Sequence, residues 1–211
     1  MNNEQLPIKE EPTRGEKRED RGVLSFLFDI LEMFAWSLFV VFLLFTFCIR
    51  LCRVDGSSME NTLFEGENLL VYSLNYTPAQ DDIIVFHLTN PEAGLEKTLV
   101  KRVIATGGQS VTMNYETGEI HVDGVLYDDS HAVLKSFFGE ITGKYDRNYP
   151  DHHFDYQTKV MSFTVPESKL FVLGDNRNDS KDSRNADIMF VDEDCVLGRV
   201  FLRLSPFAIF S

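Results

Sequence analysis

Two side chains in this sequence have the chemistry of a nucleophile and a base. Ser58 lies in the stretch Gly56-Ser57-Ser58-Met59-Glu60-Asn61-Thr62-Leu63, a few residues after a long apolar run. Lys101 lies with Arg102 inside Val100-Lys101-Arg102-Val103, a basic pair within an apolar, strand-like segment. Strand alternation sends Lys101 and Arg102 to opposite faces, so one of them points towards the side of Leu99 and Val103. A lysine forced into apolar surroundings loses solvation of its charged form, and its pKa falls from about 10.4. The neutral amine can then take a proton from a serine hydroxyl. Taken alone, such a lysine also fits an exposed strand edge, and Ser57 rivals Ser58 as a nucleophile on composition.

A third polar cluster follows the strand-like segment Lys169–Leu173. It reads Gly174-Asp175-Asn176-Arg177-Asn178-Asp179-Ser180-Lys181-Asp182-Ser183-Arg184. Short polar side chains in such density hydrogen-bond their own backbone and hold a loop in one shape. Asp182 and Arg184 can pair across it. Calcium binding of the EF-hand kind fails on spacing. Counted from Asp175, position 3 is Arg177, position 6 is Ser180 and position 12 is Ala186, where oxygen ligands, Gly and Glu are required. An ordinary Asn/Asp-rich surface loop is the plain alternative.

The five histidines, His87, His121, His131, His152 and His153, show no metal spacing, and no Gly-x-Ser-x-Gly elbow is present. A Ser-His-Asp arrangement stays open on sequence grounds. The three cysteines, Cys48, Cys52 and Cys195, make neither a disulfide framework nor a zinc pattern. A net charge of −13 argues against nucleic acid as a partner, because binding phosphate needs a basic surface.

These residues need elements to position them. Residues 1–21 are dense in both charges and are expected to form a disordered tail. Residues 22–50 are expected to be an uncleaved transmembrane anchor. The uncharged part, Met33 to Ile49, is at the short end of a span of about 17–25 residues, and it has no polar face. No small-x-small cleavage site follows it. Arg14, Lys17, Arg18 and Arg21 precede the run, and the positive-inside rule then puts the N-terminus in the cytoplasm and the remainder outside. Residues 51–211 are read as a mostly β domain. Strands are expected at Asn68–Tyr72, Asp82–Leu88, Thr98–Ile104, Ser110–Asn114, Glu119–Val122, Val125–Tyr127, Met161–Val165, Leu170–Leu173 and Val196–Leu204. Asp123-Gly124 is a two-residue hairpin signal. The rhythm is lost over about 128–160, which is read as an insertion or a set of long loops.

Taken together, a single anchor followed by Ser58-Met59 with Thr62-Leu63, then Lys101-Arg102-Val103, then the Gly-Asp-Asn-Arg loop with Ser180, Asp182 and Arg184 resembles the type I signal peptidases. The one-anchor layout is similar to the short Gram-positive form, and the resemblance runs from the anchor to about Leu204. It implies an antiparallel β-sheet catalytic domain behind one N-terminal transmembrane helix. It also implies a membrane-anchored serine endopeptidase that removes N-terminal signal peptides from exported preproteins through an acyl-enzyme, with no metal or cofactor. In that reading Ser58 is the nucleophile and Lys101 the general base. Ser180 positions the lysine amine, and the Asp182–Arg184 pair holds the loop. The Ser58 backbone N–H serves the oxyanion, and Gly56 stands where some relatives carry a side-chain oxyanion donor. Val54, Met59, Leu63 and Val100 line the pocket for the residue before the cut, favouring small residues there. The implied partners are secretory preproteins, the lipid bilayer and, as a candidate, the secretion translocon.

The sequence departs from the family's pattern at Asn61 (usually Pro), Glu67 (usually Asp) and Asp81 (usually Gly). It departs again at Ala105-Thr106-Gly107-Gly108-Gln109, where Gly-x-Pro-Gly-Asp is usual. Other classes weighed are a non-catalytic relative assisting surface-protein or pilus assembly, a self-cleaving repressor-type protein, and a plain anchored β-domain.

Overall fold

The computed structural model describes residues 16–91, 94–133, 153–185 and 187–210. The chain divides into two compact units, Met1–Thr46 and Phe47–Ser211. The described part of the first is one helix, α1 (Glu16–Phe47). Its stretch Gly22–Phe47 is 26 residues, none of them buried, and is long and apolar enough to cross a membrane. At about 1.5 Å per residue it exceeds a hydrocarbon core of about 30 Å. Leu24, Phe28, Phe34, Phe39 and Phe45 are among the large apolar side chains it exposes.

The boundaries at this end differ from expectation. Residues 16–21, assigned to the disordered tail, are helical, in keeping with the helix propensity of Glu, Lys and Arg. Residues 1–15 lie outside the described set. The helix stops at Phe47, before the expected end of the anchor at residue 50. Ile49 to Arg53 instead form a strand, β1, paired with Asn68–Tyr72.

The second unit holds thirteen strands among the described residues. They are β1 (Ile49–Arg53), β2 (Asn68–Tyr72), β3 (Ile83–Asn90), β4 (Leu95–Thr106), β5 (Ser110–Asn114), β6 (Ile120–Val122), β7 (Val125–Leu126), β8 (His153–Asp155), β9 (Val160–Thr164), β10 (Lys169–Leu173), β11 (Val191–Asp192), β12 (Val196–Leu204) and β13 (Phe207–Ile209). The larger sheet runs β1-β2-β12-β3-β4-β10-β11, with β13 beside β12. The smaller runs β7-β6-β5-β9-β8. All pairings between these strands are antiparallel, as the short alternating segments predict. Asp123 and Gly124 both have positive φ, 51° and 78°, which is the two-residue hairpin turn their sequence calls for.

Strands β8, β11 and β13 are short additions absent from the sequence reading. Strand β8 lies within the expected 128–160 loop region, so that region is not wholly irregular; residues 134–152, including His152, lie outside the described set.

Three apolar clusters make the core of this unit. One includes Val111, Met113, Ile120, Phe163, Phe171 and Phe190, joining the smaller sheet to β10. A second gathers Ile84, Phe86, Val103, Leu170 and Val172. The third includes Val54, Met59, Leu63, Leu69, Val71, Ile83, Val85 and Val200. The third cluster matters most for function, because it anchors the turn that carries Ser58.

Candidate active site

Ser58 sits in the connection from β1 to β2. The base of that loop is closed by Val54 N–H to the Glu67 carbonyl and Gly66 N–H to the Val54 carbonyl, both 2.9 Å. Its tip is wound by three tight hydrogen bonds. Glu60 N–H donates to the Ser57 carbonyl at 3.0 Å, and Thr62 and Leu63 donate to the Met59 carbonyl at 3.0 and 2.8 Å. Met59 and Leu63 are driven into the core at 1% and 0% exposure, and this sets the orientation of the residue before Met59. Glu67 is buried and faces Arg203, whose guanidinium also donates to the Thr62 carbonyl at 2.8 Å.

Lys101 comes from the middle of β4, opposite Ile84 of β3. It is 2% exposed. Its Nζ lies 2.7 Å from Ser58 Oγ and donates to the Val100 carbonyl at 2.8 Å. Burial pushes its pKa down to about 8, against the pull of Asp182 and Asp175 and with some help from Arg184. An amine in this state has a lone pair for the serine proton while an N–H stays with Val100. Alternation resolves as expected, with Lys101 on the side of Ser58 and Arg102 turned away from it. The Arg102 guanidinium grips the fully buried Asp175, with Nε to Oδ1 at 2.9 Å and Nη2 to Oδ2 at 2.7 Å.

The loop after β10 closes over the other side. Asn176 N–H donates to the Ser58 carbonyl at 3.1 Å, and its side-chain amide donates to the Ser57 carbonyl at 3.1 Å. Thr62 Oγ1 donates to Asp175 at 2.5 Å. A Cβ on Gly174 would stand 2.4 Å from the Ser58 carbonyl oxygen and 2.2 Å from Ser180 Oγ, so no side chain fits between loop and nucleophile. Asp182 and Arg184 form the expected fork, at 2.8 and 2.7 Å, and Asp182 also accepts the Gly174 N–H at 3.0 Å.

One expectation changes here. Ser180 Oγ is buried but makes no hydrogen bond to Lys101; the Val100 carbonyl takes that place, and the hydroxyl rests unpartnered against Gly174. Ser57, the rival nucleophile, is held by Asp179 at 2.5 Å instead of facing Lys101. Gly56 has φ +89°, and open space surrounds the direction its Cβ would take. Val54, Met59 and Leu63 do gather in one apolar cluster, with half-buried Val100 packed against it. The sequence reading missed Asp175, Thr62 and Asn176 as members of the site. A signal for Asp175 was present: an arginine next to a buried lysine, in a central strand, needs a carboxylate.

The family described as "Signal peptidase, peptidase S26" matches residues 27–205 of this chain. Signal peptidase IB of Staphylococcus aureus is 31% identical over 179 residues, covering 82% of this chain and 86% of that protein. A probable signal peptidase I-1 of Synechocystis is 29% identical over 160 residues, 72% of this chain and 69% of that protein. The crystal structure of a signal peptidase I from Enterococcus faecalis is 27% identical, covers 59% of this chain and 97% of that one, and has a TM-score of 0.36.

Proposed function

The chain belongs to the signal peptidase family, peptidase S26, and is a serine peptidase that removes signal peptides from secretory preproteins; on that premise we propose that Ser58 is its nucleophile and Lys101 its general base. The observation that carries this assignment is the 2.7 Å approach of a buried amine, with its pKa lowered to about 8, to Ser58 Oγ. Lys101 takes the hydroxyl proton as Oγ attacks the carbonyl of the scissile bond. The oxyanion is met by the Ser58 backbone N–H, a donor type worth about 2.7–4 kcal/mol in a comparable hydrolase. Lys101 then protonates the leaving amine, and water releases the acyl group from Ser58. No side-chain oxyanion donor stands at position 56, so backbone and solvent complete the hole. The Val100 carbonyl positions the Lys101 amine, and the Asp182–Arg184 fork keeps the loop in register.

The substrate lies extended beside the residues leading to Ser58 and the strand carrying Lys101. Val54, Met59, Leu63 and Val100 bound an apolar pocket for a small residue before the cut. The helix holds the enzyme in the membrane in a single pass, with its N-terminus in the cytoplasm and residues 51–211 outside. The secretion translocon is the source from which substrates arrive.

Purified full-length protein is expected to cleave a model preprotein. Ser58→Ala and Lys101→Ala should each lose at least about 10³-fold in kcat. Wild-type cleavage by either variant overturns the assignment.

A further inference from the structure

Residues 127–133, which follow β7, have no part in the dyad chemistry, yet they are tied to the Ser58 turn and to the loop after β10. Tyr127 donates its hydroxyl to the Asp81 carboxylate. Asp81 in turn lends its carbonyl to Arg102 Nη1 at 2.9 Å, next to Lys101. Asp129 accepts from Nη1 and Nη2 of Arg177, which is itself 2% exposed and donates Nε to the Gly174 carbonyl at 3.0 Å. Val133 forms a parallel bridge with Asn176: its N–H donates to the Asp175 carbonyl at 2.8 Å, and its carbonyl accepts the Arg177 N–H at 3.0 Å. On the other side, the Asn61 side-chain amide donates to the His131 carbonyl at 2.9 Å.

Positions 61 and 81 are both left-handed, with φ +86° and +72°. Proline cannot take the φ seen at 61, and Asn tolerates it better than most side chains. The backbone shape at 61 is therefore one that an Asn allows and a Pro forbids. That shape places the amide where it reaches residue 131.

We propose that residues 127–133 are a strap that sets the Ser58 turn against the loop after β10, with Asn61, Asp129 and Arg177 as positioning residues. The strap grips the turn at Asn61 and the loop at Asp175–Arg177. Loop and turn meet directly where Asn176 N–H reaches the Ser58 carbonyl. A shift of a few tenths of an ångström at either grip changes the line of attack of Ser58 Oγ. The inference rests on the reading of Ser58 and Lys101 as the reacting pair.

The test uses full-length protein in detergent, with a preprotein substrate and a thermal melt for each variant. Asp129→Asn keeps the shape and removes the charge that Arg177 grips. It is expected to lower kcat about tenfold and leave KM within about twofold, because positioning acts on the reacting geometry and not on uniform binding. Asp129→Glu, which can re-form the fork, should recover at least half of the loss. Asn61→Gly keeps the left-handed backbone and removes only the amide; it should fold and lose about threefold in kcat. Asn61→Pro should lose more. Wild-type kcat in folded Asp129→Asn and Asn61→Gly, or a loss confined to KM, overturns the strap. If Asp129→Asn does not fold, Asn61→Gly decides alone. Cleavage by Ser58→Ala is a separate result and sinks the dyad reading instead.

Discussion

At the scale of single residues, the proposed mechanism turns on a lysine buried where a neutral base is needed. In the proposed mechanism Lys101 acts as base only above its pKa, which burial lowers to about 8. The rate of cleavage should therefore rise with pH and level off above that midpoint. A kcat–pH profile from pH 6 to 10 checks this, and a rate flat through pH 8 would remove Lys101 from the role. The sign of a second effect follows from the same causes. Asp182 and Asp175 raise the Lys101 pKa, and Arg184 lowers it. Asp182→Asn deletes a raising charge and leaves Arg184 opposed by less, so the rising limb should move to lower pH even as kcat falls. A midpoint that moves upward contradicts this electrostatic account.

At the scale of elements, β12 joins the side of the larger sheet next to the Ser58 loop to the side that carries Lys101. It lies between β2, which follows the Ser58 loop, and β3, which pairs with the Lys101 strand. Gly198 in β12 has φ +150°, and a Cβ there would stand 2.3 Å from the Tyr72 carbonyl oxygen. Gly198→Ala must push β2 away or unwind the bulge between Val196 and Gly198. We expect a loss of about 2–3 kcal/mol, or about 5–10 °C in Tm, by thermal melting. A change under about 1 °C would mean that β12 is not wedged as described. The strands β2, β3, β5, β6 and β12 were legible in the sequence because they are written locally. Asn68–Tyr72 alternates, Asp123-Gly124 marks its own hairpin, and Ser58 and Lys101 each sit beside residues that betray them. The grip of Asp129 on Arg177 was not legible, because the two side chains lie far apart in sequence and neither has a local pattern that needs the other. Strand β8 was hidden for a related reason. Its three residues take their pairing from β9 and carry too little alternation to announce themselves.

At the scale of the whole molecule, a membrane helix and a β domain with its own core share one chain. The apolar clusters that support Ser58 and Lys101 are all contributed from within Phe47–Ser211. Nothing in the chemistry of the dyad calls for the helix. Its contribution is to confine the enzyme to the surface where the substrate's own apolar segment resides. Confinement converts part of a three-dimensional search into an intramolecular one, and flexible tethers of this kind supply effective concentrations of about millimolar order. Removing residues 1–46 should therefore separate two quantities that the intact protein couples. On a short soluble peptide, the truncated enzyme should keep kcat/KM within about threefold of the full chain, because the transition-state contacts are intact. On a preprotein inserted in lipid vesicles, kcat/KM should fall by at least about tenfold, with most of the loss in KM. The comparison needs both substrates measured on both proteins, with the Tm of the truncated domain as a check on folding. Equal losses on the two substrates would place a catalytic contribution in the helix itself. No loss on the vesicle-bound substrate would mean that the β domain finds the membrane without its anchor.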